Sequence, residues 1–391
     1  MANSSANSSA SLLAKIVIIG FGNQAKSWAQ NLRDSGREVI VLLRDPHDRG
    51  QGATLAAAPT QESEWPSLKA AQKLGFQVWF LNDKHKQQIA ACRYFVLLIP
   101  DHTHLQFLRD FKHFFSVGTR FIYAHGYSFS RYHQELMALG EYVHLLLAPK
   151  AIASELRNSY LAKAAVSTSV STSVSTSVSA SVSMSTGANR LAAFYSVENS
   201  PSACGATTGA VTGADNNEDL KFLLDLSRDL GINTGPYPTS FAEECKADLF
   251  SEQALLCSLL PYAARDCFNL LLRKGVSAEL AYFECWYEMK LIANALVEKG
   301  AQAFFNLISP NALIGGEKGY QLLWGEQESD GRRGSGQQTT FEHKLECLWN
   351  DIENGKFYQE VDSTKVEGVN GLRDKIMQRW RNEIFLKKGS E

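Results

Sequence analysis

Short apolar runs alternate with amphipathic stretches over the first half of the chain. "KIVIIG", "EVIVLLR", "YFVLLIP", "RFIYAHG" and "VHLLLAP" have strand length, and segments of helical periodicity such as "QAKSWAQNLRDSG" separate them. That alternation predicts a parallel sheet with helices on both faces. From about Thr239 the period changes: Glu243 to Leu272 and Ala278 to Lys299 are long helical patterns with no convincing strand between them. The expected architecture is a Rossmann-like, doubly wound α/β domain over residues 13–239, followed by an all-α domain over residues 240–388.

Two stretches follow neither period. "VSTSVSTSVSTSVSASVSMST", from Val166, repeats every four residues; as an extended chain it places Ser on one face and Val or Thr on the other. Its composition reads as a weakly ordered insertion, covering about residues 163–190. "GEQESDGRRGSGQQTT", from Gly325, reads as a polar surface loop. Neither carries recognisable chemistry.

At 391 residues the chain exceeds what one core usually covers, in keeping with two linked domains. Net charge is −2, from Lys+Arg 39 against Asp+Glu 41, and no long basic run exists, so a nucleic-acid footprint is excluded. The N-terminal "MANSSANSSASLLAK" lacks the basic and long apolar regions of a secretory signal, and no uninterrupted apolar run nears the length of a membrane span. A soluble cytoplasmic protein with no membrane partner is expected. The seven cysteines (92, 204, 245, 257, 267, 285 and 347) are odd in number and show no C-x-x-C spacing, which predicts reduced thiols in the core.

The first strand leads into chemistry. In "KIVIIGFGNQAKSWA", Gly20, Gly22 and Ala25 form a G-x-G-x-x-A turn between a strand and a helix, enclosing Phe21, Asn23 and Gln24. Gly20 permits the tight turn, Gly22 lets the backbone approach a pyrophosphate, and the small Ala25 allows close helix–strand packing. Where an NAD-selective site places an acid after the second strand, this chain has Arg44, with His47, Arg49 and Ser67 beyond it. Cations there suit a ribose 2′-phosphate, so NADP(H) is the expected cofactor, although Asp45 lies beside Arg44.

The helical half carries two acidic pairs. Asp248 and Glu252 are four apart among Leu249, Phe250, Leu255 and Leu256; Glu284 and Glu288 repeat the spacing among Phe283, Trp286, Tyr287 and Leu291. Like charges on one helix face repel, more so if buried, unless a cation neutralises them. Each pair alone reads equally well as a solvated stripe. Together they offer hard oxygen ligands suited to Mg²⁺, and to two ions if all converge.

Beside these stand "LLIPD", "AHGY", "LAPK", "TSFAEE", "DLFSEQALLC", "AYFECWYEMKLI" and "LISPNA". With "GFGNQA", and in this order from about Lys15 to Phe357, they resemble the short class of ketol-acid reductoisomerases, also called acetohydroxy-acid isomeroreductases. The resemblance implies that Asp248 bridges two Mg²⁺ ions, Glu252 binds one of them, and Glu284 and Glu288 serve the second. It implies that His125 and Lys150 are polar catalytic residues together with Glu288, and that Ser309 contacts the substrate carboxylate. It also implies a knotted homodimer in which Glu284, Glu288 and Ser309 act from the partner subunit.

The implied reaction is alkyl migration in 2-acetolactate or 2-aceto-2-hydroxybutyrate, then reduction by NADPH to the 2,3-dihydroxy acid of valine and isoleucine biosynthesis.

Departures mark a divergent member. Ala151, Ile152 and Ala153 replace a Gly-Pro-Gly turn after Lys150, which puts the aim of that lysine in question. His102 and His104 replace an acid and an amide after "PD"; an H-x-H pair can bind a metal, but on a loop both are expected to be solvated. Ser251 replaces a glycine, Pro310 follows Ser309, and residues 48–64 form an insertion. Two other readings use the same sequence: a non-catalytic nucleotide-binding homologue, and a metal-independent hydroxyacid dehydrogenase.

Overall fold

The computed structural model describes residues 15–45, 65–170, 190–199, 214–324, 340–363 and 371. They divide into one unit that ends at Cys245 and a second that begins at Lys246, inside a helix.

The first unit is built on eight strands: β1 (Ile16–Ile19), β2 (Val39–Arg44), β3 (Gln77–Leu81), β4 (Tyr94–Leu97), β5 (Arg120–Tyr123), β6 (Val143–Pro149), β7 (Ala192–Asn199) and β8 (Thr234–Pro238). Their order in the sheet is β3-β2-β1-β4-β5-β6-β7-β8. All neighbours are parallel except β6 and β7, so the sheet is mixed where the sequence predicted a parallel one. Antiparallel pairing of that kind is common toward one side of an otherwise parallel doubly wound sheet.

Side chains alternate across the sheet with the two-residue period of a strand. Ile16 and Ile18 join one core, Val17 and Ile19 the other. Helices α1 (Asn23–Asp34), α2 (Pro66–Lys73), α7 (Ala153–Val170) and α8 (Ala214–Asp229) place Trp28, Ala71, Leu156 and Leu226 in the first core. Helices α3 (Lys86–Ala90), α4 (His104–Phe111), α5 (Tyr127–Arg131) and α6 (His133–Met137) place Ile89, Leu108, Phe129 and Leu136 in the second. Both faces are therefore covered, as a doubly wound fold requires.

Buried Asn31 ties three helices of the first layer together. Its amide donates to the Leu230 carbonyl at 2.9 Å and to that of Leu156 at 3.3 Å, while Arg157 donates to its oxygen at 2.8 Å. Satisfying both ends of a buried amide offsets its desolvation. Helix α7 also runs into the segment expected as a weakly ordered insertion. Val166–Val170, the first residues of the serine repeat, continue the helix. The rest of the repeat lies outside the described residues, as do residues 48–64 and the polar loop up to Gln338 and Thr339.

Helix α9 (Phe241–Ser251) leads into the second unit, which continues as a π-helical segment Glu252–Leu259 and α10 (Leu260–Arg273). It then runs through α11 (Ala278–Tyr282), a second π segment Phe283–Tyr287, α12 (Glu288–Lys299), α13 (Ala301–Leu307), α14 (Pro310–Trp324), α15 (Thr340–Glu353) and α16 (Lys356–Ser363). No strand occurs among its described residues. Among its described residues the buried apolar side chains are Leu249, Ala264, Phe268, Ala281 and Ile352.

Within the helical run Phe241–Arg273, one 18-residue stretch of mean hydropathy 1.3 makes the run long and apolar enough to cross a membrane by length and composition. It does so although no uninterrupted apolar run was evident in sequence, because an isolated charge pair such as Arg265 and Asp266 interrupts a leucine-rich stretch without cancelling it.

Cysteine burial departs from the expected core thiols. The six described cysteines are free, but only Cys245 is buried; Cys257, Cys267 and Cys347 are exposed, and Cys204 lies outside the described residues.

Candidate active site

The chain turns from β3 back to β4 on the other side of β1, so the sheet has its switch point between β1 and β4. Ligands of doubly wound sheets bind in the crevice at the carboxyl ends of the strands flanking that point. The G-x-G-x-x-A turn follows β1. Gly20 has φ +89°, and a Cβ there would stand 2.6 Å from Ile99 Cγ2, so both conformation and space demand glycine.

Gly22 is different. It precedes α1 with no side-chain cap, and a Cβ on it would meet nothing within 4 Å. No protein atom requires that glycine, and the uncapped helix N-terminus leaves backbone N–H groups directed at the space beside it, a fit for a pyrophosphate. Asn23 is exposed and Gln24 half-buried along this edge, while Phe21 and Ala25 are buried and pack the turn down.

Arg44 ends β2 with an exposed side chain, and half-buried Ser67 sits in the first turn of α2. Asp45, which clouded the local charge in sequence, accepts a hydrogen bond from the Asn82 amide. His47 and Arg49 lie outside the described residues.

The next two strands carry the polar cluster. His125 follows β5, Lys150 follows β6, and both meet Glu244 on α9. Lys150 Nζ donates to Glu244 Oε1 at 2.6 Å, and the Gly126 backbone N–H donates to Oε2 at 2.6 Å. His125 Nε2 stands 3.9 Å from the same Oε2. The Tyr127 N–H donates to His125 Nδ1 at 3.0 Å, which leaves the ring proton of the neutral form on Nε2, facing the carboxylate. Glu244 has a side chain only 2% exposed against 33% for Lys150, so the ion pair is anchored on its acidic side.

Gly126 is held at this point by crowding. A Cβ there would run into the Phe241 carbonyl oxygen and come within 2.9 Å of Glu244 Oε2. The turn after Lys150 needs no glycine to aim it: Lys150 N–H donates to the Ala192 carbonyl at 2.8 Å and Ser27 Oγ donates to the Ala153 carbonyl at 2.7 Å. Sequence reasoning missed Glu244. Its signal was available, because it lies four residues before Asp248 and so one turn earlier on the same helix.

In the second unit Asp248 is half-buried and Glu252, Glu284 and Glu288 are exposed, so the acids are less desolvated than the apolar flanks suggested. Each pair borders a π segment: Glu252 opens one, Glu284 lies within the other, and Glu288 follows it. Such segments are rare and cluster at functional sites. Burial pushes the Cys257 thiol up, as do the charges of Glu252 and Asp248; burial, Cys267 and Glu284 do the same to Cys285. Among the described residues, no three of the four acids bring ligand oxygens together in one chain.

Ser309 caps α14, its Oγ accepting the Ala312 N–H at 3.2 Å, with Pro310 at the first helical position. Of the two loop histidines, His102 is exposed as expected, but His104 is buried, 1% exposed.

Comparison with known proteins is decisive here. Residues 13–191 match the acetohydroxy acid isomeroreductase NADPH-binding domain, and residues 241–385 match the ketol-acid reductoisomerase C-terminal domain. The chain belongs to the ketol-acid reductoisomerase family. Similar proteins include the ketol-acid reductoisomerase (NADP(+)) of Helicobacter acinonychis, 28% identical over 88% of this chain and 82% of that protein. The enzyme of that name from Methanothermobacter thermautotrophicus is 27% identical over 96% of this chain and 91% of its own length. Among solved structures, an NADH-preferring ketol-acid reductoisomerase from an uncultured archean shares the fold, with TM-score 0.66 and 22% identity over 94% of this chain and 91% of that one. In the reductoisomerase frame, the G-x-G-x-x-A turn lies in the NADPH-binding match, and Asp248, Glu252, Glu284, Glu288 and Ser309 all lie in the C-terminal match.

Proposed function

We propose that this chain is an NADPH- and Mg²⁺-dependent ketol-acid reductoisomerase acting on 2-acetolactate or its ethyl homologue 2-aceto-2-hydroxybutyrate. The observation that carries the proposal is the Lys150–Glu244–His125 cluster at the carboxyl ends of β5 and β6, in a chain of this family. Gly22 and the N-terminus of α1 would hold the pyrophosphate of NADPH and Arg44 and Ser67 its 2′-phosphate; when bound, the cofactor would supply the hydride.

Asp248 and Glu252 fit a hard divalent ion, since both are carboxylates one turn apart whose negative field already reaches the neighbouring thiol. Glu284 and Glu288 are likewise carboxylates one turn apart, and the charge of Glu284 reaches the Cys285 thiol. When bound, Mg²⁺ supplies Lewis-acid polarisation of the substrate's hydroxyl and carbonyl oxygens.

The chain's own groups do the rest. Lys150 offers N–H donors and positive charge to an oxygen that gains negative charge, and buried Glu244 fixes the ammonium in one place. His125, with its proton on Nε2, is oriented by the Tyr127 N–H as a donor beside the same carboxylate. Ser309 is assigned to the substrate carboxylate and Glu288 to both metal binding and proton movement.

The helical unit supports a homodimer with shared sites. Leu291, Ile292, Leu307, Ile314 and Leu323 are all exposed, large apolar side chains of the kind that a partner surface covers. A second copy covers it, and the acids at either π segment then come from different subunits. This also accounts for the apolar run Phe241–Arg273 without a bilayer, since Asp248, Glu252, Arg265 and Asp266 lie along it. We propose a cytoplasmic location, in keeping with the reductoisomerase reading.

NADPH consumption with 2-acetolactate, with and without Mg²⁺, tests the reading alongside Asp248→Asn. Turnover that needs Mg²⁺ and disappears in a normally folded variant is the expected result; turnover that survives the substitution removes the metal assignment.

A further inference from the structure

His104 is buried, 1% exposed, and both ring nitrogens are engaged. Nε2 lies 3.0 Å from the Ile99 carbonyl oxygen and Nδ1 lies 2.7 Å from Ser128 Oγ. A carbonyl only accepts, so Nε2 carries the proton; in the neutral imidazole Nδ1 is then an acceptor, and the Ser128 hydroxyl donates to it. Burial, the largest influence on this ring, favours the neutral form. The Asp101 carboxylate, 4.0 Å from Nδ1, is beyond hydrogen-bond reach.

The two partners belong to different functional loops. Ile99 lies in the loop after β4, on one flank of the switch point, and its Cγ2 packs beneath Gly20 of the dinucleotide turn. Ser128, itself fully buried, stands in the first turn of α5, three residues after His125. The imidazole also packs against Tyr123, two residues before His125, with ring centroids 5.6 Å apart. Gly20, Ile99, His104, Ser128 and the His125 turn thus form one continuous chain of contacts within the first unit.

We propose that His104 is a positioning residue, a two-ended strut that sets the distance between the dinucleotide loop and the His125–Glu244–Lys150 cluster. The inference rests on the reductoisomerase reading, because hydride transfer is what makes that distance matter. Displacement of reacting groups by about 1 Å costs on the order of a hundredfold in rate.

His104→Leu removes both ends of the strut and leaves the Ile99 carbonyl and Ser128 hydroxyl unpaired. His104→Gln retains one donor and one acceptor at a spacing close to that of the ring nitrogens. The leucine variant is expected to lower kcat about a hundredfold, with the NADPH dissociation constant changed by less than about threefold. The glutamine variant should restore kcat to within about threefold. Equal loss in both variants, or unchanged kcat in a folded leucine variant, overturns the proposal. Should the leucine variant fail to fold, Ser128→Ala removes one end alone and must lower kcat by about tenfold; no loss there overturns the strut.

Hydrogen exchange provides a readout that does not depend on turnover. Exchange in residues 98–104 and 124–131 is expected to rise together in the leucine variant and not in the glutamine variant. Absence of that joint rise contradicts the strut. Absence of 2-acetolactate turnover in the unmodified protein, with the joint rise present, contradicts only the reductoisomerase reading.

Discussion

The two units use the same apolar residue types to opposite ends. In the α/β unit Ile16, Val41, Phe95 and Leu145 are fully buried in cores on either face of the sheet, and among the described residues few large apolar side chains, such as Val117 and Ile152, are exposed. In the helical unit Val297 is 81% exposed, Leu323 70% and Ile314 69%. A sheet covered on both faces completes its own core. The helices beyond Lys246 leave apolar faces whose burial requires a surface of comparable size, as at obligate homodimer interfaces. The contrast teaches that the nucleotide half completes its own core, whereas the helical half leaves apolar faces that the proposed second copy would cover.

The largest effect should come from charging the exposed apolar face. Leu291→Asp with Ile292→Asp is expected to yield monomers by sedimentation and to lower turnover at least about a hundredfold, while NADPH binding by the α/β unit persists. Dimers of unchanged activity would mean that the two units differ for some other reason.

Next in size is Glu244→Gln. It retains hydrogen-bonding capacity and removes the charge that holds Lys150. A loss of about a hundredfold in kcat/KM, or about 2.7 kcal/mol, is expected with the fold intact by circular dichroism. Gly126→Ala should cost about 2 kcal/mol of stability, visible as a lowered Tm, because its Cβ collides with the Phe241 carbonyl.

The remaining effect concerns acid. His104 and His144 are buried in the α/β unit, and burial lowers both pKa values, that of His144 to about 3. A folded value below the unfolded one means that the unfolded chain takes up protons first. The contribution is fully present above the unfolded value of 6.5 and is lost as pH falls below it toward the folded value. Each such histidine should lower stability by about 1.4 kcal/mol per pH unit in that window. Urea unfolding of the α/β unit at pH 7.5 and pH 5 measures this, and His144→Gln should flatten the slope.

Where the sequence was readable, one local pattern sufficed. Gly20 and Ala25 sit between a strand and a helix whose periods are unmistakable, so the turn and its neighbours were legible. The antiparallel β7 was not, because strand direction depends on a connection that the apolar pattern of "LAAFYSVEN" does not encode. His104 was expected in solvent because a loop H-x-H looks polar; its burial depends on Ser128 and Ile99, which only the fold brings to it. Glu244 was passed over because the acidic pattern was counted from Asp248 forward, although the same spacing extends one turn backward. The thiols of Cys257 and Cys267 were placed in a core because helical periodicity marks an apolar face without saying which chain covers it.

The central claim is that the helical unit is completed by a second copy, with Asp248 and Glu288 of one site drawn from different subunits. Co-expressing Asp248→Asn chains with Glu288→Gln chains tests it directly, since each variant alone is expected to be inactive. In a mixed dimer with shared sites, one site receives both defects and the other none, so each mixed dimer should keep about half of the Mg²⁺-dependent NADPH oxidation with 2-acetolactate, and a randomly paired population, about half of it mixed, about a quarter of the unmodified level. No recovery in mixed dimers of demonstrated composition would place both residues in a single chain's site and contradict the account.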